Sequence, residues 1–172
     1  MSQPAADVIE VLRRDHELIR TLAVDLEMTT DSIEARDLYL RLVGELAAHE
    51  AAEEQVVFPA VRAAMPTTTR ETSVRVGEHD EINELIGEMQ RLPPAGLAFG
   101  KRASALRLEI EGHFQAEESS LFIDLLDVIG PDESVRLAAR VAVAKATAPA
   151  FPSQHRTSSM SSKSSKSSMS ST

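Results

Sequence analysis

The sequence predicts an all-α fold: an up-down-up-down four-helix bundle with a short fifth helix and a disordered Ser-rich C-terminal tail. Three observations predict it. Apolar residues recur at steps of three and four almost throughout, with no convincing period-two run. Start and stop signals divide the chain into four long segments with short connections, as in an up-down bundle. Aromatic residues make up only 3% of the chain, so the core must be built of Leu, Ile, Val and Ala.

The first helix is expected from Pro4, a residue favoured in a first turn, to about Thr29, on the stripe Ile9, Leu12, His16, Ile19, Ala23, Leu26. Asp31 followed by Glu34 forms a capping box for a second helix that ends near Ala64, before Pro66. Thr68 with Glu71 caps a third, which stops before Pro93-Pro94. A fourth runs from about Leu97 to Ile129, where Gly130-Pro131 ends it. Asp132 caps a short fifth helix reaching about Ala148, which either lies across one end of the bundle or serves a dimer contact. From Ser153 the chain is mostly Ser with no apolar period, and cannot bury enough surface to offset its ordering entropy. Residues 1–148 therefore read as the bundle domain and 149–172 as the tail.

Composition removes several function classes. Without cysteine there are no disulfides, thiolate nucleophiles or Cys-ligated iron–sulfur clusters. The net charge of −9, with three basic residues and no acid after Ser153, makes the bundle an acidic surface that repels nucleic acid and anionic lipid. No apolar run approaches the ~18–20 residues of a membrane span, and the N-terminus lacks the basic start and apolar run of a secretory signal. A cytoplasmic protein with no membrane or nucleic-acid partner is expected, its oligomeric state open.

The histidines carry the functional signal. Asp15-His16-Glu17 recurs as Glu78-His79-Asp80, each followed by an aliphatic three residues after the His. His49-Glu50-Ala51-Ala52-Glu53-Glu54 recurs as His113-Phe114-Gln115-Ala116-Glu117-Glu118, with Phe58 and Phe122 each nine residues past the His. His16 and His49 are 33 residues apart, His79 and His113 are 34 apart. Each half is therefore a helical hairpin bearing one lone His and one His-x-x-x-Glu. Residues four apart project from one helix face, so His49 with Glu53, and His113 with Glu117, can reach the same ion. All six sit on apolar stripes, and an inward carboxylate is costly unless paired or metal-bound. A metal site follows, with His16, His49, Glu53, His79, His113 and Glu117 as its ligands. His155, in the tail, is read as inert.

Six nitrogen and oxygen donors without sulfur suit Fe, with Mn or Zn as alternatives, and are too many for one tetrahedral zinc. They suit two ions sharing bridging carboxylates, with room for an oxo or hydroxo bridge and an exchangeable position.

On these motifs, over about residues 5–130, the chain resembles the haemerythrin-like, or HHE cation-binding, family. The resemblance implies two non-haem iron ions bridged by Glu53 and Glu117, with the four histidines as terminal ligands. Two departures stand out: Asn83 lies four after His79, where oxygen carriers have a second His, and the fourth helix has His-x-x-x-Glu in place of His-x-x-x-x-Asp. Reversible oxygen carriage is therefore not expected. Glu50 is either a seventh ligand in the vacant place or a solvated or helix-contact carboxylate. Glu54 and Glu118 are surface residues or acceptors for imidazole N–H groups, and Tyr39, about 15 Å of helix rise before His49, is not a ligand. Relatives of this type are associated with oxygen, peroxide and nitric oxide responses. The expectation is a di-iron protein reacting with hydrogen peroxide or oxygen, in the peroxide case by catalase-like disproportionation; the alternative is a module that binds or senses iron, oxygen or nitric oxide without turnover.

Overall fold

The structure is a computed structural model that describes residues 7–150. Seven α-helical segments occur among them: α1 (Val8–Met28), α2 (Ser32–Ala52), α3 (Phe58–Ala64), α4 (Thr69–Met89), α5 (Leu97–Ala116), α6 (Phe122–Val128) and α7 (Pro131–Ala146). No strand occurs among the described residues. The expected starts at Pro4 and the Ser-rich tail, with His155, lie outside them.

Asp7 caps α1, accepting from the Glu10 amide, and Asp31 caps α2, accepting from Ile33 and Glu34. The expected capping box at Asp31 closes only halfway, because the Glu34 carboxylate is engaged by the Thr29 hydroxyl. Two other expected caps are corrected. Thr68 ends a 3₁₀ turn (Pro66–Thr68) that feeds directly into α4, and its hydroxyl bonds back to the Met65 carbonyl. Asp132 lies inside the first turn of α7, where a negative charge complements the helix dipole; Gly130 holds the cap position and Pro131 opens the helix.

The second and fourth helices also depart from the expected continuous rods. Each is interrupted by one wide π-type turn: Glu53–Val57 separates α2 from α3, and Glu117–Leu121 separates α5 from α6. In both, the amide of the following Phe reaches back five residues, Phe58 to Glu53 and Phe122 to Glu117. The repeat read in the sequence is thus repeated in the backbone.

Packing follows the stripes: α1 lies against α2 and α5, and α4 against α5. The buried side chains form two apolar clusters. One holds Ile19, Leu22, Leu26, Leu42, Leu46, Ile82, Ile86, Leu106 and Ile110. The other holds Val8, Leu12, Val57, Phe58, Leu121, Phe122, Leu137 and Val141. Tyr39 belongs to the first, its hydroxyl donating to the Ile86 carbonyl at 2.8 Å. Along α1 the only buried residues between Leu12 and Ile19 are Asp15 and His16, so a polar layer divides the core. α7 packs on α1, α2 and the Glu53–Val57 turn and completes the second cluster.

Leu106 has no exposed surface in the first cluster. Leu106→Ala is expected to destabilise the protein by about 3 kcal/mol through lost burial and a residual cavity, read as a lower denaturant midpoint at unchanged m-value.

Candidate metal centre

The polar layer contains His16 from α1, His49 from α2, His79 from α4 and His113 from α5, joined by Glu53 and Glu117 from the first residue of each wide turn. All six are at most 3% exposed, and the two carboxylates are completely buried. The sequence-predicted set therefore converges in one place.

The ring nitrogens face one another in two pairs: Nε2 of His16 lies 3.2 Å from Nε2 of His49, and Nε2 of His79 lies 3.2 Å from that of His113. Each carboxylate divides its oxygens between the pairs. Glu53 Oε1 is 3.4 Å from His49 Nε2, and its Oε2 is 3.3 Å from His79 Nε2. Glu117 Oε1 is 3.5 Å from His113 Nε2, and its Oε2 is 3.4 Å from His16 Nε2. Donors at about 2.0–2.2 Å from a common ion stand roughly 3.0–3.5 Å from each other, so these spacings fit donors gathered around a cation. His16, His49, Glu53 and Glu117 form one group able to hold an ion, and Glu53, His79 and His113 form another.

A second layer fixes the rings. The His16 Nδ1–H donates to Glu118 at 2.7 Å, His79 Nδ1–H to Glu54 at 2.9 Å, and His113 Nδ1–H to Glu78 at 2.8 Å. Asp15 stands 3.6 Å from His49 Nδ1. A proton kept on the outer nitrogen leaves the inner Nε2 lone pair free, the tautomer a cation requires. Phe58 stacks on His79 and Phe122 on His16, with Phe114 also stacked on His16 at 3.7 Å between centroids. Glu54 and Glu118 thus take the imidazole-acceptor role offered by the sequence. Asp15 and Glu78 were not assigned one, although an acid directly before the lone His in both copies was the available signal.

Electrostatics test whether the donors suit a cation. Burial, reinforced by the neighbouring His49, pushes His16 down to about 2, so it stays neutral. Burial opposes a charged His113 as well, but Glu117 and contacts with Glu53 and Glu78 outweigh it and raise it to about 9. Burial and then the charge on Glu53 drive Glu117 well above the ordinary carboxyl range, while Glu53 is held well below it by the histidines against its own burial. Without a cation the site must therefore retain protons. None of the four oxygens of Glu53 and Glu117 has a hydrogen-bond partner, an arrangement that costs several kcal/mol unless positive charge lies between them. The residues fit a metal site.

Glu50 is buried and not solvated. It accepts from Asn83 Nδ2 at 3.0 Å, its Oε1 has no hydrogen-bond partner, and burial raises its pKa. It stands outside both ion-holding groups, beside the layer.

These shifts set a pH dependence for the metal-free protein. His113 and His79 are both raised above the unfolded ~6.5, so their contribution is complete below that pH; that of His113 is lost as pH rises through about 9, and that of His79 falls in the same direction. Metal-free protein is expected to unfold at lower denaturant at pH 9 than at pH 6.5. A cation needs those imidazoles neutral, so its uptake at pH 7 should release protons, seen as buffer-dependent heat in calorimetry.

Comparison with known proteins agrees with the geometry. The family described as Hemerythrin HHE cation binding domain matches residues 7–122. A hemerythrin HHE cation binding domain-containing protein from Mycobacterium kansasii, of known crystal structure, superposes with a TM-score of 0.72 at 23% identity, over 82% of this chain and 86% of that one. A curated relative named DNA nickase, from Nostoc sp. (strain PCC 7120 / SAG 25.82 / UTEX 2576), is 24% identical over 139 residues. That match takes in 81% of this chain but 39% of the relative's length. With the motifs, the buried His/Glu layer and the family match in agreement, the chain belongs to the hemerythrin HHE cation-binding domain family.

Proposed function

We propose that this protein holds two non-haem iron ions and reacts there with hydrogen peroxide or oxygen, in the peroxide case by catalase-like disproportionation. One observation carries the reading: Glu53 and Glu117 are completely buried, without hydrogen-bond partners, and each offers one oxygen to each imidazole pair. His16 and His49 would be terminal ligands of one ion and His79 and His113 of the other, with both glutamates bridging. Iron is preferred to Mn or Zn because the donor set mixes imidazole with carboxylate at more positions than one zinc takes.

When bound, the ions would supply the electrons that a dioxygen-type ligand gains and accept those that it loses. The chain supplies the rest. Glu54, Glu78, Glu118 and Asp15 keep the rings oriented, and the phenylalanines against His16 and His79 keep the layer dry. Buried Glu50, whose carboxyl pKa is raised by burial, would hold or return a proton at Oε1, with Asn83 fixing its other oxygen. The apolar side chains around the layer favour small ligands: peroxide, oxygen or nitric oxide.

The up-down-up-down course of the bundle belongs to this reading, supported by connections as short as Thr29–Asp31 between helices that pack together. No helix among the described residues is long and apolar enough to cross a membrane, and a cytoplasmic setting is proposed with it. Nucleic acid is not among the proposed partners, because a net charge of −9 opposes a phosphate backbone. The second reading, a module that binds iron, oxygen or nitric oxide without turnover, is favoured by α7, which gives the Glu53 turn a contact through which a change at the site would be felt.

Iron-loaded protein is expected to contain two ions per chain and to evolve oxygen from hydrogen peroxide faster than an equal concentration of free iron. Two bound ions without that evolution would select the binding module. His113→Ala should remove at least one ion and narrow the gain in thermal stability that loading confers, since ions held only by the folded state stabilise it. Full metal content in that variant would overturn the ligand assignment.

A further inference from the structure

Three of the outer carboxylates are themselves met by a cation. Arg20 donates to Glu118 at 2.9 Å, and Arg75 lies 2.7 Å from Glu78; both arginines belong to the helices of the repeat. Asp15 is met by Lys145, which belongs to α7, outside the repeat, 130 residues along the chain. The Asp15 contact also differs at its other end. Where Glu54, Glu78 and Glu118 accept from their imidazoles at 2.7–2.9 Å, Asp15 Oδ2 stands at 3.6 Å from His49 Nδ1, and neither atom has a hydrogen-bond partner although both are buried.

A solvent-exposed pair of this kind contributes little. This one is not exposed: Asp15 is 8% accessible, and the lysine side chain is largely covered. The ammonium pins Oδ1, so Oδ2 has one direction left, toward His49. Other features of the molecule carry less. The groove between α3, α6 and α7 has nothing to identify an occupant, and Glu50 belongs to the centre already described.

We propose that Lys145 is a positioning residue for the metal centre, acting through Asp15 on His49, so that the seating of α7 sets how firmly one of the two ions is held. This rests on the di-iron reading. The ion affected is the one between His16 and His49, the pair that Asp15 faces.

The test is anaerobic release of iron(II) from the loaded full-length protein to a colorimetric chelator, with metal content and thermal midpoint measured in parallel. Loss of an outer partner weakens metal binding about 10–100-fold, and acting through one further side chain Lys145→Met should speed the release of iron about 5-fold in at least one phase. Lys145→Arg should restore the slow phase. Asp15→Asn should reproduce the fast phase, and adding Lys145→Met to it should change release no further. The thermal gain on loading should shrink in Lys145→Met. Equal release of both ions in Lys145→Met and wild type overturns the inference and leaves the di-iron reading intact. So does a thermal midpoint lowered by the same amount with and without iron, which marks a purely structural contact. Wild-type protein that takes up no iron overturns both.

Discussion

The arrangement rests on two carboxylates that the protein buries and then leaves without donors. An interior glutamate ordinarily finds an arginine, a lysine or backbone amides, because desolvation otherwise exceeds what a folded domain tolerates. Glu53 and Glu117 find only the inner nitrogens of four imidazoles, and two of those rings can relieve them only by holding protons. A pair of divalent cations relieves the same strain with more charge in less space, and releases the protons. The helices, the apolar clusters and the ring-orienting acids are all consistent with a layer built for that occupancy.

The bundle pays for this layer in core continuity. His16 stands on α1 between Leu12 of one apolar cluster and Ile19 of the other, so the interior is split where a Leu in its place would join it. Stability must then come from both halves and from α7, whose Leu137 and Val141 complete the second cluster. That explains why a helix outside the twofold repeat is packed on the turn carrying Glu53.

The all-α fold and the meeting of the six central residues were legible because their signals are periodic and doubled. A lone His on an apolar stripe is ambiguous; four of them, one per helix, with His-x-x-x-Glu twice, are not. What could not be read depended on geometry that spacing leaves undetermined. Glu50, on the inward side of α2, was open between ligand and a solvated or helix-contact acid, and the packing of Asn83 from α4 beside it shows a buried helix contact. The cap at Thr68 failed because a 3₁₀ turn runs into α4 without the break a cap needs. Lys145 had no local signal, since its partner lies at the other end of the sequence.

The wide turns unite these points. Nine residues are two and a half turns of a regular α-helix, so Phe58 ought to face away from His49, and Phe122 away from His113. Yet both phenylalanines are fully buried and stack on the lone histidine of the opposite hairpin, Phe58 on His79 and Phe122 on His16. The π-type turn beginning at each central glutamate makes this possible, because its wider winding re-aims everything after it. It also lets adjacent acids serve different partners: Glu53 reaches the centre while Glu54 turns to His79, and Glu117 reaches the centre while Glu118 turns to His16. Each hairpin thus supplies ligands from its own helices and holds the lone histidine of the other in place. The two halves cannot separate without uncoupling the rings from their acids, and that exchange, more than apolar burial alone, makes the twofold repeat a single site.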